Sequence, residues 1–100
     1  MIVTIRDPEI LKNLQPDIVR TYLETHSWQE VRQIEDKASI WNRHSETAEE
    51  FEILLPLKPE FLDFPRRMAE VLQTLEIAEN RSQLEILSNL YQLLTLPFKA

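Results

Sequence analysis

A chain of 100 residues with 43% hydrophobic residues, no cysteine, no glycine and a formal charge of −6 has material for one hydrophobic core. Without cysteine there are no disulfides, thiolate nucleophiles or cysteine metal sites, and the redox compartment stays open. Without glycine there is no phosphate-cradling loop or dinucleotide fingerprint, and the acidic balance disfavours general attraction to nucleic acid or anionic lipid. Turns needing positive φ fall to other residues, with Asn13, Asp36, Asn42 and Asn80 as the candidates. Met1 to Ile5 is too short an apolar run for a secretory segment. Runs such as Ile53 to Leu57 fall far short of the ~20 residues of a membrane helix, so a soluble, cytoplasmic protein is expected.

Along the chain, Asp7-Pro8-Glu9 reads as an N-cap, a first-turn proline and an acidic first turn, which predicts a short helix from Pro8 to Asn13 or Leu14. Pro16 restarts the pattern. Ile18, Val19, Tyr22 and Leu23 share one face up to about Thr25, giving an amphipathic second helix. From Trp28 to Ile34 the character is that of a strand, with Val31 and Ile34 out of phase and a bulge expected near Gln33. Glu35-Asp36-Lys37 then turns the chain, and Ala38 and Ile40 face opposite to Ser39 and Trp41 in a second strand reaching Arg43. A polar loop follows from His44 to Glu50.

Phe51, Ile53, Leu55 and Leu57 alternate as a third strand that Pro56 ends or confines to an edge. Asp63-Phe64-Pro65 opens a long helix with its stripe at Phe64, Met68, Val71, Leu72, Leu75 and Ala78. Asn80 is its left-handed stop. Ser82-Gln83-Leu84-Glu85 is a capping box for a last helix through about Leu94, before Pro97. The expected fold is a single α+β domain over residues 1–100: a three-stranded antiparallel meander flanked by helices in the order α-α-β-β-β-α-α. A short N-terminal strand at Ile2 to Ile5 is a further expectation.

Tyr22-Leu23, Ser27-Trp28, Val31 and Leu55-Pro56, taken with this order of elements, resemble the double-stranded-RNA-binding-like fold of the HicA toxin ribonucleases over about half the chain. That resemblance implies RNA binding or cleavage. Those toxins carry a histidine where the second strand begins, and this chain has Asp36-Lys37-Ala38-Ser39 there. A second set, Leu54-Leu55-Pro56-Leu57, Arg67-Met68 and Glu79-Asn80-Arg81-Ser82-Gln83-Leu84, looks like the start of a family of longer, uncharacterised bacterial proteins. It implies a module and brings no activity.

Candidate chemistry is sparse. His26 and His44 have no second histidine at metal-ligand spacing, and Glu35-Asp36, Glu49-Glu50 and Asp63 read as solvated charge rather than a carboxylate pair across a cleft. No catalytic residue, metal or cofactor is assigned. Arg66 and Arg67 oppose the dipole of a first helical turn unless Asp63 and Glu70 compensate them; with Lys58 they mark a place for an anionic partner. Trp41 beside Arg43 is a candidate contact, although packing against Trp28 explains both tryptophans. In the last helix, a core face of Leu84, Leu87, Tyr91 and Leu94 leaves Ile86, Leu90 and Leu93 as a second apolar stripe, fit for a second copy or another protein. The expected function is therefore a non-enzymatic protein interaction or regulatory module, self-associating through its last helix. The alternative is an RNA-binding or RNA-cleaving protein, with a hydrolase built on His44 and Glu49 or Glu50 as a weaker third reading.

Overall fold

Asp7 caps the first helix through its side chain, which accepts the Glu9 N–H at 3.0 Å, and the chain then runs α1 (Pro8–Lys12), α2 (Pro16–Thr25), β1 (Gln29–Ile34), β2 (Ala38–His44), β3 (Glu50–Pro56), α3 (Phe64–Glu79) and α4 (Gln83–Thr95). These elements belong to a computed structural model that describes residues 4–44 and 49–95. Most of the polar loop expected between β2 and β3, the strand residues Ile2 and Val3, and Pro97 lie outside that range. Thr4 and Ile5 are not in a strand. The α+β class and the α-α-β-β-β-α-α order are those expected from the sequence.

The sheet is an antiparallel meander in the order β1-β2-β3. Its inner face carries Trp41, Ile53 and Leu55, packed with α2, α3 and α4 through Val19, Tyr22, Leu23, Met68, Leu72, Leu75, Ile86 and Leu90 in one buried cluster. On the outer face Ile34, Ala38 and Pro56 stand in one row, and Arg32, Ile40 and Leu54 in the next. The bulge expected near Gln33 falls instead between Glu30 and Arg32. Val31 is thereby left exposed, which accounts for its phase error.

Among the described residues three take positive φ: Ser27 (70°), Glu35 (51°) and Asn80 (52°). Of the four positions expected, only Asn80 is among them; Asn13 is right-handed and Asn42 lies in β2. Ser27 and Asn80 do the same work. Beyond each, the next residue sends its N–H back to a carbonyl five positions earlier, Trp28 to Leu23 at 3.0 Å and Arg81 to Glu76 at 3.3 Å. This bond closes a helix in the manner usually left to glycine.

Two expectations are corrected by packing. Trp41 is buried rather than offered to a partner, and its indole N–H donates to Ser39 Oγ at 2.9 Å inside the core. The phase of α4 is inverted. Ile86 and Leu90 are 0% and 1% exposed and Leu93 packs partly against the core, whereas Leu84, Tyr91 and Leu94 stand 50%, 43% and 47% exposed. Gln83 sets that phase. It is itself buried, accepting the Ile5 N–H through Oε1 at 2.9 Å and donating from Nε2 to Glu76 Oε1 at 2.9 Å. The inner stripe therefore starts on a polar residue and continues through Ile86, Leu87 and Leu90, three, four and seven positions on.

Candidate functional site

Two features stand out: a buried polar hub that fixes the helices, and the apolar stripe that the fixed α4 turns outward. The hub is Glu79, whose side chain is only 4% exposed. It falls four residues after Leu75, in phase with the buried stripe of α3. A buried carboxylate needs donors and cations, and they come from α2, β2 and the connections that follow α2 and α3. Tyr22 of α2 donates its hydroxyl to Oε1, and Trp28 donates its indole N–H to Oε2 at 3.1 Å. The Arg43 guanidinium of β2 lies 3.5 Å from Oε2 and that of Arg81 3.8 Å from Oε1. Arg81 also donates to the Tyr22 hydroxyl at 2.8 Å and to Asn89 Oδ1 of α4, and its Nε lies 3.7 Å from Glu85.

The two glycine-free helix ends build this hub, since Trp28 and Arg81 are the residues immediately beyond Ser27 and Asn80. Burial first, and then the hydrogen bond and charge of Glu79, push the Tyr22 phenol well above its ordinary value, against a smaller opposing pull from Arg81 and Arg43. It stays a protonated donor. His26 stacks on Tyr22 with ring centroids 3.9 Å apart and planes 12° from parallel. A carbonyl only accepts, so the 2.8 Å contact from His26 Nδ1 to the Tyr22 carbonyl places the proton on Nδ1. Every polar group in the hub has a protein partner, an arrangement suited to fixing geometry.

The fixed α4 presents Leu84, Tyr91 and Leu94 to solvent, seven and three residues apart. Seven and three are among the spacings of a helix-pairing seam. Leu87, between them in sequence, is buried with the core. Of the thirteen residues of α4 only Glu85 is charged. Sequence reasoning found the excess of apolar residues but assigned it to the wrong side, and it missed the hub entirely. The available signal was a glutamate in register with an apolar stripe.

The remaining expected sites are scattered. Arg67 lies 3.4 Å from Asp63 and 3.4 Å from Glu70, so the expected compensation of the first turn of α3 is realised at Arg67, while Arg66 is exposed beside it. Lys58 pairs with Asp36 at 3.2 Å and holds that carboxylate below its ordinary value through the hydrogen bond and its charge. His44 ends β2 on the surface, opposite Glu50 in the ladder. Among the described residues no group of three or more His, Asp or Glu side chains is placed to hold a metal, and no helix is long and apolar enough to cross a membrane. No protein-family model, curated protein or solved structure matches the chain.

Proposed function

We propose that the protein is a non-enzymatic interaction module whose α4 pairs with α4 of a second copy. The observation that carries this reading is the outward row of Leu84, Tyr91 and Leu94 on a helix with a single charge. A protein of net charge −6 repels its own copy over most of its surface. The α4 face, with one charge among thirteen residues, adds little to that repulsion. An isologous pairing about a two-fold axis brings the same three residues together from both sides. With so short a seam the contact belongs to the transient class, below about 1,200 Å² of buried area.

Sedimentation equilibrium tests it. At about 0.1–1 mM, the range suited to a small transient contact, the wild-type chain forms dimers. Leu84→Lys combined with Tyr91→Lys gives a monomer, and because both side chains are already exposed its urea midpoint matches that of wild type when both are read at a dilution where wild type is also monomeric. A wild-type chain that stays monomeric throughout overturns the reading.

A further inference from the structure

The outer face of the sheet has a groove of about 300 Å³ where the β1–β2 turn, the end of β3 and the start of α3 meet. Its apolar floor includes Ile34, Leu54 and Phe61, which remain 37%, 39% and 43% exposed. Its volume is at the lower edge of ligand sites, about 300–1,000 Å³. That suits one or two anchoring side chains better than a cofactor. Three cations line the groove, Lys37, Lys58 and Arg67, against one carboxylate, Asp63. Among the lining residues cations thus outnumber acids, the reverse of the chain's 11 basic to 17 acidic residues.

Of the four acids paired with these cations, only Asp63 lines the groove. Lys37 lies 3.6 Å from Glu35, Lys58 3.2 Å from Asp36, and Arg67 3.4 Å from both Asp63 and Glu70. All four acids are exposed, and water screens pairs of this kind so strongly that an incoming carboxylate competes with them.

We infer that this groove is a docking site for an acidic, apolar-anchored peptide segment of a partner protein, its apolar side chain set between Ile34, Leu54 and Phe61 and its flanking carboxylates on Lys37, Lys58 and Arg67. A second copy of this chain does not supply that chemistry through its exposed α4 stripe, which has one carboxylate. The groove and that stripe lie on different elements, so either binds without the other.

The probe is the fluorescein-labelled peptide DDLLFEDD, read by fluorescence anisotropy beside its basic counterpart KKLLFKKK. The acidic peptide binds, its affinity falls about tenfold or more when Lys37, Lys58 and Arg67 are all changed to Glu, and its amide shifts on the protein cluster at Ile34, Leu54 and Phe61. The three changes are at partly exposed positions, and an unaltered urea midpoint shows that the variant is folded. Tyr91→Lys leaves peptide binding intact, which separates this site from α4 pairing. Equal binding of the two peptides, affinity indifferent to the three substitutions, or tighter binding of duplex RNA through the same three cations overturns the proposal.

Discussion

Glu79 brings together two arginines, a tyrosine hydroxyl and an indole N–H from α2, β2 and the helix ends around them. Removing its charge leaves Arg43 and Arg81 uncompensated in a partly buried space, and a glutamine there offers one acceptor oxygen where Tyr22 and Trp28 each used one. Glu79→Gln is therefore expected to lower stability by about 3 kcal/mol, as for breaking a buried pair from one side. Urea unfolding checks it, and a loss below about 1 kcal/mol, the level of an exposed pair, contradicts a holding role. The Tyr22 phenol, raised above its ordinary value of 10.0 in the fold, gives a pH dependence with a definite sign. Below about pH 10 both folded and unfolded chains keep the proton and the contribution is intact. As pH rises further the unfolded chain loses its proton first, so stability falls. Urea midpoints of wild type should decline more steeply above about pH 10 than those of Tyr22→Phe; parallel declines contradict this.

Among the elements, those whose signals are local were legible in the sequence. Asp7 and Ser82 cap as their positions indicate, the Glu85 N–H reaching Ser82 Oγ at 3.1 Å. The stripe of α3 is buried at Phe64, Met68, Val71, Leu72 and Leu75. The features set by distant partners were not legible. The phase of α4 depends on Gln83 meeting Ile5, 78 residues away, and a pattern of apolar spacing reads a buried glutamine as a surface residue. Likewise Ser27 and Glu35 adopt left-handed backbone because the turns around them demand it, not from their own preference. Asn80 has that preference, and replacing it separates the two effects. Asn80→Ala is expected to cost about 1 kcal/mol by thermal unfolding, and Asn80→Gly nothing or a small gain; equal losses in both variants would mean that the Asn80 side chain, not its backbone angle, holds the helix end.

At the scale of the molecule, helices cover one face of a three-stranded meander and leave the other open. Its outer groove was not foreseen, because its cations come from the β1–β2 turn, the loop after β3 and the start of α3, and only the fold brings Lys37 beside Arg67. If α4 pairs as proposed, the melting temperature rises with protein concentration, since mass action stabilises whatever the folded chain binds. The bond between the Ile5 N–H and Gln83 has a consequence for biosynthesis. A chain made from its N-terminus completes α1, α2, the sheet and α3 before Gln83, Ile86 and Leu90 exist to close the core. Through that interval the α2 face that meets α4 has no permanent cover. The core is thus closed by the same helix that carries the outward stripe, and a chain lacking that helix is expected to expose the α2 face and aggregate.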